Sequence, residues 1–259
     1  MNAFFWTIAA SSAAQPQRVV FYAYSPAQVA TINIDGRLKP MPTVCQNCHG
    51  GNMPDVALLA DQVKQTNKWS NLDIGARMLP FALDTLRFYR HGSMGFGTPA
   101  LEASHSRQAQ ESALRYMNAV MLLSGTLTPT ARQLVHGSYG STNVSSNALP
   151  AGATYNDAWH PPGGAAVGWD ADPTLYDAVI GNYCRVCHMS LPSLDFGTYQ
   201  SFVDLASTVE YDLCTDHSMP HSPTTYMRFW NSANPHAPGV LGASMQGKPG
   251  WSGAPCGPS

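Results

Sequence analysis

Cys184-Arg185-Val186-Cys187-His188 decides how this chain is read, and Cys45-Gln46-Asn47-Cys48-His49 carries the same pattern earlier in the sequence. In a Cys-x-x-Cys-His pentapeptide, two thiols one helical turn apart reach the vinyl groups of a haem and become thioethers. The adjacent imidazole then binds the iron. With 6 Cys and 9 His in 259 residues, chance supplies roughly 0.005 copies of this pattern. Two copies predict two covalently bound haems of the c type. Cys45, Cys48, Cys184 and Cys187 are the expected tethers, and His49 and His188 the expected iron ligands. Zinc is the competing use of paired CxxC motifs, but zinc ribbons hold their pairs about 15 to 20 residues apart. Here the pairs lie far apart, and each is followed at once by His.

Composition narrows the setting. Charged residues make up 12% of the chain, with 22 Gly and 20 Pro, which describes a weakly charged, loop-rich protein of the kind often exported. The net charge is −2 and the lysines are only Lys39, Lys64, Lys68 and Lys248. That balance argues against a nucleic-acid partner and against a lysine ring for steering toward acidic proteins. Cys214 and Cys256 remain outside the motifs. Two leftover cysteines in an exported protein most often pair, and one of them as a haem thiolate ligand is the alternative. Haem attachment to such motifs takes place outside the cytoplasm, so the haem and disulfide readings together place the protein in the periplasm or outside the cell.

Residues 1–14 are apolar and end in small side chains, yet no basic residue precedes Arg18, so the charged start of a signal peptide is missing. The stretch is too short to cross a bilayer as a helix. We expect no membrane span, and an ordered apolar arm that packs on its own subunit or on a neighbour. Arg18 to Tyr24 and Val29 to Ile34 read as strands around Ser25-Pro26, predicting a small β hairpin before the first motif.

Beyond it the chain reads as mainly α with extensive loops, in two cytochrome c-like haem domains. Residues 1–38 form the arm and hairpin, 39–150 the first haem domain, and 151–259 the linker, second haem domain and a Pro/Gly-rich tail. One helical pattern carries Val56, Leu59 and Val63. A stronger one puts Ala109, Ala113, Tyr116, Met117, Val120 and Met121 on one face and stops at Gly125. A short helix follows Pro129. From Gly137 to Gly168 apolar periodicity disappears, and the domain boundary is placed there. Asp172-Pro173 then starts a helix running into Cys184. A second helix carries Tyr199, Phe202, Val203, Ala206 and Val209, and Ser222-Pro223 starts the last one.

That order (helix, CxxCH, helix, Met-Pro loop, aromatic helix) resembles the class I cytochromes c over residues 170–232. Over residues 38–137 the likeness rests on the motif and its surrounding helices. The resemblance implies that Met219, followed by Pro220, is the second axial ligand of the second haem. It lies 31 residues after His188, enough chain to reach the other haem face, with His217 and His221 as competitors. Tyr183, Tyr226, Phe229 and Trp230 are expected to pack that macrocycle. For the first haem, Met94 and His91 in the loop His91 to Gly97 are the candidates and are not separated. Met53 is too close to His49, Met78 has apolar neighbours that suggest core, and His105, His136, His160 or a ligand from another subunit stay open.

The function these readings predict is a dihaem electron carrier between a redox protein donor and a redox protein acceptor. The arm suits a homo-oligomer or filament, such as an extracellular electron-conducting assembly. The alternative is an enzyme similar to the dihaem cytochrome c peroxidases, which carry one CxxCH per domain. Against it, the only glutamates are Glu102, Glu111 and Glu210, and none lies in a recognisable distal loop that could move protons.

Overall fold

A computed structural model describes residues 3–9, 18–24, 31–34, 37–40, 43–51, 75–86, 88, 98–164, 167–233, 235–253 and 256. The protein is mainly helical, and the described strands form two small antiparallel hairpins. Strand β1 (Ala3–Ala9) pairs with β2 (Arg18–Tyr24), with Ala3 opposite Tyr24 and Ala9 opposite Arg18. Strand β3 (Thr31–Ile34) pairs with β4 (Arg37–Pro40). This corrects the single hairpin expected before the first motif. The run Phe4-Phe5-Trp6-Thr7-Ile8 is aromatic and β-branched, so it is itself a good strand, and the arm takes β2 as its partner within its own chain.

Helix α1 (Thr43–His49) carries the first motif. The helical pattern around Val56, and with it Met53, His91 and Met94, lies outside the described residues. Helices α2 (Pro99–Ser104), α3 (Arg107–Leu123) and α4 (Pro129–Ser138) follow. Each begins where a hydroxyl accepts an otherwise unpaired backbone N–H: Thr98 from Leu101, Ser106 from Ala109, and Thr128 from Ala131. The buried face of α3 differs from the expected one. Asn118, Met121 and Leu122 are buried, while Tyr116 is 69% exposed. The cause is Asn118, whose side chain accepts from the Phe81 N–H at 2.8 Å and donates to the Phe81 carbonyl at 2.9 Å. A satisfied amide can be buried without penalty, and it turns the helix toward the segment 78–83.

After α4 the chain runs to residue 164 without helix or strand. It is held by Arg132, which donates to the carbonyls of Leu122, Val144 and Ser146. A short 3-10 turn, Trp169–Ala171, leads to α5 (Pro173–Leu175), capped by the Asp172 carboxylate. The rod continues as a π-helix, Tyr176–Cys184, and ends as α6 (Arg185–His188). The helix expected around Tyr199 to Val209 is two helices, α7 (Tyr199–Val203) and α8 (Ala206–Glu210), and a second π stretch, Tyr211–Thr215, extends the latter. Helix α9 (Pro223–Trp230) is not the last. The tail holds α10 (Ala237–Met245), in which Ala237, Leu241 and Met245 are fully buried on one face.

Two buried clusters result. One gathers Met78, Leu83, Met121, Leu122, Leu134 and Tyr139, joined by Tyr155. The other gathers Trp169, Tyr176, Ile180, Phe202, Phe229 and Leu241. Met189, immediately after the second motif, packs in the first cluster. Cys214 and Cys256 are disulfide-bonded across 42 residues, a closure worth about 4 kcal/mol in the chain-entropy account. Beside that bridge the buried Glu210 carboxylate accepts from the N–H and hydroxyl of Ser252 and from the Gly253 N–H. Among the described residues no helix is long and apolar enough to cross a membrane.

Candidate functional site

The two pentapeptides, though distant in sequence, meet. Helices α1 and α6 pack together, and the Sγ of Cys187 lies 3.0 Å from the Sγ of Cys48. Ser190 locks the backbones in place, because its hydroxyl touches the carbonyls of both Cys48 and Cys187. Gly50 permits that approach. It has φ +66°, and a Cβ there would overlap the backbone carbonyl of Ser190. Gly50→Ala is therefore expected to push the motifs apart and cost about 1–3 kcal/mol of stability. Urea unfolding measures that loss, and an unchanged midpoint would show that the contact is not needed.

Each motif holds its histidine in the same way. His49 Nδ1 lies 2.8 Å from the carbonyl of Arg77, and His188 Nδ1 lies 2.9 Å from the carbonyl of Leu194. A carbonyl can only accept, so Nδ1 carries the proton in both rings and the lone pair belongs to Nε2. Burial lowers both imidazole pKa values below the ordinary range, with the carbonyl bonds opposing the shift. Both rings are therefore neutral at pH 7. The His188 ring also stacks on Phe196, with centroids 3.9 Å apart and planes within 5°. Neutral imidazoles fixed through Nδ1 are suited to ligating a metal through Nε2.

The thiols differ among themselves. Burial pushes Cys45 up to about 11, with a smaller contribution from Cys48, and pushes Cys184 up to about 12. The Cys187 thiol is raised, first by its hydrogen bond to Cys48 and then by burial. Cys48 is lowered because it accepts that bond.

A cavity of about 740 Å³ opens beside the second motif, a size typical of small-molecule and cofactor sites. Cys184, Cys187 and His188 line it, as do Cys48 and Gln46 from the first motif. Val179, Phe196, Phe202, Val209 and Leu213 supply apolar wall, and Asp212, His221, Thr225 and Arg228 supply polar wall. Met219 also lines it, positioned by a turn in which the N–H groups of Ser218 and Met219 both donate to the Asp212 carbonyl.

Among the competitors for Met219, His221 lines the cavity, whereas His217 turns its ring onto Trp230, with centroids 4.7 Å apart. Of the four aromatic residues expected around a macrocycle, Tyr183 lines the cavity. Phe229 sits behind it in an edge-to-face pair, and Tyr226 and Trp230 pack on one another in the second cluster. Helix α9 turns Thr225 and Arg228 to the cavity instead. Met78 is 2% exposed in the first cluster, a core residue. His105 bonds to its own helix end, His136 to the Ser146 carbonyl, and His160 lies against Asp170. None of these three lines the cavity.

Sequence reasoning missed what fixes the second motif. Arg185, inside the pentapeptide, is 4% exposed. Its guanidinium meets the Asp84 carboxylate at 2.6 Å and the Tyr176 hydroxyl at 3.0 Å. The Tyr155 hydroxyl donates to the other Asp84 oxygen at 3.0 Å, and burial raises the Tyr155 pKa, so it stays protonated.

Among the described residues no three His, Cys, Asp or Glu side chains cluster tightly enough to hold a metal ion by themselves. No protein-family model, no curated protein and no solved structure matches the chain.

Proposed function

We propose that this chain is a dihaem c-type cytochrome, with two cytochrome c-like haem domains, that carries single electrons between a donor and an acceptor protein outside the cytoplasm. One observation carries the reading. Two CxxCH motifs dock against each other on one apolar cavity, and each presents a neutral histidine held through Nδ1. The residues around the second motif fit such a cofactor, since Cys184, Cys187 and His188 line the cavity with an apolar wall. Cys45 and Cys48 would tether one haem and Cys184 and Cys187 the other, with His49 and His188 as iron ligands. Bound haem iron supplies one-electron chemistry, cycling between ferric and ferrous states.

The chain's own residues do the rest. The apolar wall of Val179, Phe196, Phe202 and Leu213 would pack against a bound macrocycle and shield that side of it from water. Met219, which lines the cavity, would serve as a thioether ligand, a weaker electron donor than imidazole that favours the reduced state. Met94 or His91, or a residue of another subunit, would complete the first site. The Cys214–Cys256 bridge supports an exported location. Strand β1, whose outer edge pairs with nothing among the described residues, would join copies in a conducting assembly. Light scattering that finds only monomers removes that last element.

The test is expression with export and haem attachment, followed by spectropotentiometric titration. Two reversible one-electron waves per chain are expected, and a chain without covalent haem would sink the reading. Met219→His should lower one of the two potentials by about 0.1 V, a fraction of the roughly 0.8 V that axial ligands span. Two unchanged potentials would remove Met219 as a ligand.

A further inference from the structure

We propose that, before any haem is attached, Cys48 and Cys187 close into a disulfide that cross-links the two motifs, so that a single bond gates loading of both sites. The bridge would be a second one, separate from Cys214–Cys256.

The geometry is already close. The two sulfurs are 3.0 Å apart, and a disulfide needs about 2.05 Å, so they must approach by about 1 Å. The backbones on either side are held together, since the Ser190 hydroxyl reaches the carbonyls of both cysteines and Gly50 lies against the Ser190 carbonyl. Closure within the first motif is the competing reaction. Cys45 and Cys48 are three residues apart at the start of helix α1, a placement in which Cys-x-x-Cys pairs do form disulfides. Their Cβ atoms must draw in from about 5–6 Å to about 3.5–4.5 Å, whereas the Cys48 and Cys187 sulfurs are already in contact.

The reaction balances with a protein disulfide of the exported compartment as oxidant. The Cys48 thiolate attacks one sulfur of that disulfide and releases the other as a thiolate. The Cys187 thiolate then attacks the Cys48 sulfur, forming the Cys48–Cys187 bond and releasing the second oxidant thiolate. The two protons lost by the cysteines pass to those thiolates. The chain is oxidised by two electrons, and the oxidant is reduced to a dithiol. While the bridge stands, neither Cys48 nor Cys187 can form a thioether, so one thiol–disulfide exchange with a reducing dithiol opens both motifs together.

The proposal concerns the same residues as the haem reading, but the bridge forms whether or not haem follows. The experiment is to secrete the full-length chain from a host lacking haem-attachment machinery, alkylate it without reductant, and map its peptides by mass. The expected product links the peptides bearing Cys48 and Cys187, with Cys45 and Cys184 alkylated and Cys214–Cys256 intact. Cys48→Ser should leave Cys187 alkylated, and Cys187→Ser should leave Cys48 alkylated. Links within a motif, or four alkylated motif cysteines in the parent chain, overturn the proposal. The same chain made with the attachment machinery separates the two ideas. A cross-link without haem there supports the bridge and sinks the cytochrome. Two covalent haems there, with no cross-link in the haem-free chain, do the reverse.

Discussion

Replacing Cys184 and Cys187 together by serine is expected to halve the covalent haem content, from two per chain to one. On the proposed reading that change removes both thioether anchors of the second site, while Cys45, Cys48 and His49 would keep the first. Serine is close to cysteine in size, and the second cluster draws its largest side chains from elsewhere, including Trp169, Tyr176, Phe202 and Phe229. The fold should therefore survive, with the Cys214–Cys256 bridge as an internal check. Pyridine haemochrome absorbance per mole of protein, with intact mass, measures the outcome. Two covalent haems in the double variant would mean that these sulfurs are not the tethers, and the reading of the site would fall with them.

The second large effect concerns a charge that no haem motif requires. Asp84→Ala removes the carboxylate facing Arg185 and leaves a guanidinium that is 4% exposed, bonded to the Tyr176 hydroxyl at 3.0 Å. Stranding one member of a buried ion pair typically costs about 3–5 kcal/mol, enough to consume much of a domain's usual stability of about 5–15 kcal/mol. Tyr155 loses its acceptor at the same time. Replacing both partners by apolar residues, Asp84→Leu with Arg185→Met, should recover most of the loss, because no unpaired charge is left buried. Urea unfolding of the two variants against the parent tests this. Equal stability of Asp84→Ala and the parent would show that the pair contributes nothing.

Much of the helical framework was legible because its starts are written locally. Thr128-Pro129, Asp172-Pro173 and Ser222-Pro223 each put a capping candidate before a proline, and each opens a helix. Helix α10 was not legible. Its Ala-Pro-Gly-Val-Leu-Gly-Ala sequence contains residues of low helix propensity, and it is held by burial of Ala237, Leu241 and Met245. The face of α3 was misread because the pattern counted apolar residues, whereas a polar one, Asn118, sets the orientation. The π stretches were hidden for a related reason: they shift the period away from 3.6 midway along a helix.

In the site, the motif residues were legible from spacing alone, and their mutual contact was not. Nothing near Cys48 in the sequence points to Cys187, and nothing near Arg185 points to Asp84, 101 residues away. A charged side chain at a variable motif position reads as solvent-facing until its partner is known. The orientation of α9 has the same character, since Tyr226, Phe229 and Trp230 turn inward because α10 and the second cluster are there to receive them.

The meeting of Cys48 with Cys187 also sets when the site can exist. The two residues are separated by 139 positions, and joining ends that far apart costs about 4 kcal/mol in chain entropy before any contact repays it. Contacts of such long range form late in folding. In a chain emerging from its amino end, α1 and its motif are delivered long before α6, Ser190 and Leu194. The first motif thus spends the early life of the molecule without the wall it will share. The cavity is a late event in time as well as a distant one in sequence, and whatever occupies it must wait for both halves of the chain.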